Sequence, residues 1–187
     1  MGIIRKDFKY KIIKNFITSQ EKEVYLDYCL LKHQTNMSSF DLEQSKNADT
    51  YFYADALFES LMINKKEVLE KETGLELFPT YSFWRMYTHL ADLSFHKDRP
   101  ACEISVTVNL GGSEEPWPIY MEDTPLELKP GDAAVYLGCE VVHGRHEFQG
   151  DWQAQCFMHY VDKNGPHKEW DKDKRVCYGI NNENMAR

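Results

Sequence analysis

His96 and Asp98 form a His-x-Asp step in the segment Ser94-Phe95-His96-Lys97-Asp98-Arg99, and His143 follows 45 positions after Asp98 in Val141-Val142-His143-Gly144-Arg145. Two imidazoles and one carboxylate make the facial ligand set that suits Fe(II). Three protein ligands leave three octahedral positions open, which is what a metal that must bind a cosubstrate and dioxygen requires. His-x-Asp alone is a weak signal, because the tripeptide is common. The elements around it strengthen the reading. In an extended segment His96 and Asp98 point to the same face, because strand side chains alternate with period 2.

The elements that must position these residues are strands. Runs at 81–90, 95–98, 103–110, 117–121, 125–128, 133–137, 140–143 and 152–161 read as eight short strands separated by turns, the pattern of a double-stranded jelly roll. Lys129-Pro130-Gly131-Asp132 is a turn signal ahead of the apolar run Ala133 to Leu137. The candidate ligands then fall at strand ends that can neighbour one another in a small barrel. Upstream, Thr18-x-x-Glu21 is a capping-box signature and predicts a helix through about Gln34. A polar loop is expected from 34 to 49. A second helix is expected from about Ala54 to Glu72, stopping before Gly74. The fold class is therefore mainly β, a jelly-roll core braced on the outside by N-terminal helices. The expected organisation is one domain over 1–187: a helical support at 1–78, the catalytic core at 79–162 and a polar tail at 163–187, with Trp170 and Tyr178 as docking anchors.

Period-2 sorting gives three strands with one polar and one apolar face. Arg85, Tyr87 and His89 share a face with Tyr81 and Phe83. Ser105, Thr107 and Asn109 oppose Ile104, Val106 and Val108. Gln153, Gln155, Phe157 and His159 oppose Ala154, Cys156 and Met158. A solvated polar face is the ordinary reading of such alternation. Beside a metal, a polar cavity is the alternative.

The stretch from Tyr81 to Asp162 resembles the 2-oxoglutarate and Fe(II)-dependent dioxygenases, in particular the prolyl-4-hydroxylase-like branch found in bacteria, phages and marine environmental sequences. The residues that carry the resemblance are Tyr87 nine positions before His96, the His96-x-Asp98 step, the Leu-Lys-Pro-Gly-Asp-Ala turn at 128–133, and His143 followed by a closing strand from Trp152 to Val161. The resemblance implies Fe(II) held by His96, Asp98 and His143, which are also the catalytic residues, with 2-oxoglutarate and O2 as cosubstrates. It implies hydroxylation of a C–H bond in a peptide side chain or a small metabolite.

One feature departs from the family. Its members usually place Lys or Arg about ten residues after the distal His, to pair with the far carboxylate of 2-oxoglutarate. Here no Lys or Arg lies between His146 and Asp162, and Gln153 and Gln155 stand in that neighbourhood. The candidates for the missing cation are Arg145, then Arg85 with Tyr87 donating its hydroxyl to the same carboxylate, then Arg99, with Gln155 as an uncharged partner. Arg99 and Trp117 are candidate substrate contacts. His146 could replace His143 as ligand, and His159 reads as a satisfied barrel histidine. Glu140 and Glu147 flank His143 and are candidate partners for its second ring nitrogen. Two other function classes remain: a cupin-like metalloenzyme that uses no 2-oxoglutarate, and a non-catalytic jelly-roll binding module.

Composition sets the remaining bounds. Hydrophobic residues make up 42% and aromatic residues 13% of the 187 positions, enough for a proper core. The net charge of -8 argues against non-specific nucleic-acid binding. No apolar run approaches the length of a membrane span, and Met1 to Tyr10 lacks a signal-peptide core. Five cysteines, at 29, 102, 139, 156 and 177, form no Cys-x-x-Cys pair. They read as free thiols of a cytoplasmic protein. The partners expected are a small molecule or peptide, with no nucleic acid and no membrane, acting as a monomer or homodimer.

Overall fold

The computed structural model describes residues 9–35 and 48–180. Its elements are β1 (Tyr10–Ile13), α1 (Ser19–Gln34), β2 (Ala48–Tyr53), α2 (Ala56–Thr73), β3 (Leu77–Thr88), β4 (Leu93–His96), β5 (Ile104–Gly112), β6 (Ile119–Met121), β7 (Thr124–Leu126), β8 (Ala133–Leu137), β9 (His143–Arg145) and β10 (Trp152–Asp162). Two short 3-10 segments, Pro100–Cys102 and Lys168–Lys174, complete the described residues.

Both helices start where their caps dictate. Thr18 accepts from the Glu21 amide at 3.1 Å, and the Glu21 carboxylate accepts from the Thr18 amide at 2.7 Å, closing the capping box. Asp55 caps α2 by accepting from the Leu57 amide at 3.0 Å. Gly74 ends α2 in the left-handed conformation, with φ of 66°.

The strands form two antiparallel sheets. The larger has the order β1-β8-β5-β10-β3-β2 and the smaller the order β4-β9-β6-β7. The jelly roll predicted from the strand pattern is the architecture found, with helices on the outside. The apolar faces of β3, β5 and β10 point to those helices. Phe58 of α2 packs against Trp84 with ring centroids 6.1 Å apart, and the Tyr160 hydroxyl donates to the Met62 carbonyl at 2.7 Å. Val106, Val108, Cys156 and Met158 join the same buried cluster. Burying such a side chain contributes about 1.5–3 kcal/mol. The polar faces therefore point the other way, into the barrel. The solvated-face reading fails here because both faces of these strands are buried.

Several expectations need correction. The N-terminal third is not only helical: β1 pairs with β8, and β2 pairs with β3. The loop expected over 34–49 lies mostly outside the described residues, but Gln34 still belongs to α1 and residues 48 and 49 already belong to β2. The strand expected at 140–143 lies instead at His143–Arg145. The preceding residues turn back, with the Glu140 and Val141 amides both bonded to the Leu137 carbonyl. This shift places Arg145, two residues on, on the same strand face as His143. The tail is docked as expected at Tyr178, whose hydroxyl donates to the Pro79 carbonyl at 3.3 Å. No helix among the described residues is long and apolar enough to cross a membrane.

Candidate metal and cosubstrate site

The smaller sheet builds the centre of the site. Antiparallel pairing of β4 with β9 sets His96 directly opposite His143. Facing residues in such a pair hold their Cβ atoms about 4.5–5.5 Å apart, and the two rings here have centroids 4.5 Å apart. Asp98 lies just beyond the end of β4. Its amide donates to the Gly138 carbonyl at 2.9 Å, which turns its side chain back toward the two rings. The outcome is a three-residue group whose ligand atoms all lie within 4.8 Å of one another. Asp98 Oδ1 is 3.5 Å from Nε2 of His96 and 3.5 Å from Nε2 of His143.

The remaining ring nitrogens settle the tautomers. Nδ1 of His96 lies 2.7 Å from the Ser94 carbonyl, and Nδ1 of His143 lies 3.0 Å from the Val141 carbonyl. A carbonyl only accepts, so each Nδ1 carries a hydrogen and each Nε2 is left to face Asp98. Backbone carbonyls thus do what Glu140 and Glu147 were expected to do. Both glutamates are exposed. The site is graded in access: the side chain of His143 is 3% exposed and that of His96 is 23% exposed. Tyr136 covers His143 from β8, with centroids 4.6 Å apart.

Burial alone would raise the Asp98 pKa. Hydrogen bonding to His143 and His96 outweighs it and holds the carboxyl well below the usual range. The Asp98 hydrogen bond raises the His96 pKa, against a smaller opposing effect of burial. A second group, Asp98 with Cys102 and His159, is equally close. Burial pushes the Cys102 thiol well up, so it is a poor source of the thiolate a metal needs. Burial pushes His159 down to about 4, so its ring is neutral at ordinary pH. His146 is exposed, packed against Phe95 and Tyr120, and does not replace His143.

A cavity of about 450 Å³ opens in front of the triad, lined among others by Tyr51, Tyr53, Tyr81, Phe83, Arg85 and Phe157. Arg145 does not line this cavity; it is 2% exposed, with its guanidinium 4.7 Å from the Trp117 ring. One of its nitrogens, Nη1, donates to the Trp117 carbonyl. Its Nε and Nη2 have no hydrogen-bond partner among the described residues, nor does Nε2 of Gln155. Burial pushes the Arg145 pKa down to about 10. Tyr87 packs edge-on to Trp117 at 4.9 Å, which places Arg145, Tyr87 and Trp117 in one buried group. Arg85 faces Gln155 across β3 and β10, and stacks 4.8 Å from the Phe83 ring.

Two expected substrate contacts are placed differently. Trp117 is buried behind Arg145, between it and Phe148, and its ring N–H donates to the His146 carbonyl at 2.7 Å. It does not line the cavity in front of the triad but borders a separate pocket. Arg99 does line the cavity, but its fork is held by Asp173 of the tail, with contacts of 2.7 and 2.6 Å. The sequence reading missed Tyr51 and Tyr53, because β2 lay inside the expected loop and its margin. The aromatic run Tyr51-Phe52-Tyr53 is the signal that could have marked a strand there.

No known family model and no curated protein matches the chain. Its fold is similar to that of solved prolyl hydroxylases and other α-ketoglutarate-dependent enzymes. A viral collagen prolyl hydroxylase from Paramecium bursaria Chlorella virus-1, in complex with 2-oxoglutarate, aligns over 85% of this chain and 98% of its own, at 12% identity and a TM-score of 0.63. A Pseudomonas putida prolyl-4-hydroxylase aligns over 83% of this chain and 94% of its own, at 12% identity and a TM-score of 0.65. The α-ketoglutarate-dependent epimerase SnoN of nogalamycin biosynthesis aligns over 85% of this chain and 80% of its own, at 12% identity and a TM-score of 0.70. The shared feature is the fold.

Proposed function

We propose that this chain is a non-haem Fe(II), 2-oxoglutarate-dependent dioxygenase that hydroxylates a C–H bond. The observation that carries the reading is the convergence of Nε2 of His96, Nε2 of His143 and Oδ1 of Asp98 on one point, with both rings fixed in the tautomer that leaves Nε2 free. Such a set fits a divalent metal, and its two-histidine, one-carboxylate chemistry favours Fe(II). Bound Fe(II) would supply the dioxygen chemistry: one oxygen atom goes to the substrate carbon, and the other is used as 2-oxoglutarate becomes succinate and CO2.

The protein's own part is binding, orientation and exclusion of water. Arg145 is the proposed anchor for the far carboxylate of 2-oxoglutarate. A buried guanidinium with two nitrogens lacking hydrogen-bond partners is costly by itself and is relieved by a bidentate carboxylate. Tyr87 stands beside it as an uncharged donor, and Arg85, which faces Gln155 across β3 and β10, is the second candidate. The aromatic walls of the cavity, Tyr51, Tyr53, Phe83 and Phe157, suit a substrate that brings an apolar carbon to the metal, on a small molecule or a peptide side chain.

Anaerobic Fe(II) titration with and without 2-oxoglutarate tests the reading. The metal-to-ligand charge-transfer band of the chelate is expected only when both are present. Iron binding without that band would favour a cupin-like metalloenzyme that uses no 2-oxoglutarate. No iron binding at all would leave a binding module.

A further inference from the structure

Only one oxygen of Asp98 faces the two histidines. The other, Oδ2, turns away and accepts from the Ser105 hydroxyl at 2.6 Å. The Ser105 oxygen also lies 2.9 Å from Nδ1 of His159 and 3.1 Å from the Cys102 carbonyl. One hydroxyl has one proton to give. The carboxylate is both nearer and ionised, so it takes that proton's hydrogen bond in preference to the carbonyl. His159 Nδ1 must then be the donor to the Ser105 oxygen. The result is a directed chain from His159 N–H to Ser105 O–H to Asp98 Oδ2.

The chain is boxed in. Tyr81 packs on His159 with ring centroids 4.5 Å apart. Gly138 closes the side next to the carboxylate: a Cβ there would come within 2.4 Å of Oδ2, 2.7 Å of the Ser105 oxygen and 2.2 Å of the Cys102 carbonyl. Ser105 is fully buried on β5, on the strand face that points into the barrel. All three devices act on the oxygen that the metal reading leaves unused.

We propose that Ser105 and His159 are positioning residues that keep Asp98 a one-oxygen ligand, so that the metal retains a coordination position a two-oxygen carboxylate would fill. The inference rests on the triad of the proposed function. An octahedral metal has six positions. His96, His143 and one oxygen of Asp98 take three, a chelating 2-oxoacid takes two, and one remains for dioxygen. If Oδ2 also bound, no position would remain. Ser105 holds Oδ2 with a charge-assisted hydrogen bond, and His159 fixes the hydroxyl so that it cannot swing to the Cys102 carbonyl.

The test reads coordination directly. Mn(II) is loaded in place of Fe(II) without 2-oxoglutarate, and bound waters are counted by pulsed electron paramagnetic resonance in 17O-enriched water. The wild type is expected to hold three waters. Ser105→Ala is expected to hold two, and its turnover with Fe(II) to fall by roughly ten- to a hundredfold, the usual scale for outer partners of metal ligands. Ser105→Thr, which keeps the hydroxyl, is expected to restore three. His159→Phe keeps a ring on Tyr81 but removes the N–H donor, and is expected to give a mixture of two and three. A water count of three in Ser105→Ala overturns the proposal, whatever happens to its unfolding temperature. If that variant does not fold, His159→Phe decides, and a uniform count of three in it is the overturning result. Asp98→Ala separates the two levels: if it binds Mn(II) as tightly as the wild type, the triad itself is wrong. An intact triad with three waters in Ser105→Ala removes this inference alone.

Discussion

Two buried polar regions of the barrel are built on opposite rules. At the metal end, nearly every polar atom has a partner: both Nδ1 atoms are held by carbonyls, and both oxygens of Asp98 are engaged. Elsewhere in the interior, Arg145 keeps two nitrogens and Gln155 keeps one without hydrogen-bond partners among the described residues, in full burial. Unsatisfied buried donors cost about 1–3 kcal/mol each, more when charged, so a protein keeps them where a ligand will complete them. The geometry around His96, Asp98 and His143 is thus set by the protein's own hydrogen bonds, while under the proposed function the donors of Arg145 are completed by a ligand.

That contrast can be broken most directly at Asp98. Asp98→Ala removes the one charge of the triad, and iron binding in equilibrium titration together with turnover is expected to be lost. The other end responds differently. Arg145→Ala is expected to cost about 3–5 kcal/mol of pairing with a buried carboxylate, which is two to three decades of 2-oxoglutarate affinity at about 1.4 kcal/mol per decade. Iron affinity should be largely kept. Arg145→Lys should rescue in part, since a point charge lacks the fork. Arg85→Ala is the control, and a loss equal to that of Arg145→Ala would move the anchor to β3.

A subtler contrast lies in pH. In the metal-free protein the Asp98 hydrogen bond raises the pKa of His96 above 6.5 and hydrogen bonding to His143 and His96 lowers that of Asp98 below 3.8. The raised His96 stabilises below its unfolded pKa, and that stabilisation disappears as pH rises through its folded pKa. The lowered Asp98 stabilises above its unfolded pKa, and that stabilisation disappears as pH falls through its folded pKa. Metal-free stability should therefore be highest between these limits and decline on the alkaline side. A metal requires neutral imidazoles, so its affinity should fall as pH drops through the raised His96 pKa. Thermal unfolding with and without Zn(II) across pH 5 to 8 is expected to show slopes of opposite sign, and parallel slopes would rule out the pairing. The smallest effect is expected from Glu140→Gln. Glu140 is exposed and the His143 ring is held by the Val141 carbonyl, so metal affinity should change by no more than about 0.5 kcal/mol.

Ligand types and their order along the chain were legible without a structure. So was the jelly roll, because alternation and turn residues such as Gly131-Asp132 are local. The helices were legible for the same reason: Thr18, Glu21 and Gly74 act on backbone groups within one turn. β1 was not, because four residues pair with a partner more than a hundred positions away. β2 was hidden beside a polar stretch, and with it went Tyr51 and Tyr53.

By itself the sequence determined that two imidazoles and a carboxylate stood on or beside strands, that no cation stood on the closing strand, and that three strands had polar faces. Only the tertiary structure decided which way those faces pointed. Periodicity says that residues share a face, but burial of the opposite face against α1 and α2 is what turns it inward. It was also tertiary structure that replaced Glu140 with the Val141 carbonyl, put Arg145 behind His143 rather than outside it, and set Ser105 against Asp98. These are contacts between elements far apart in the chain, and their distances follow from sheet register and helix packing rather than from any local preference.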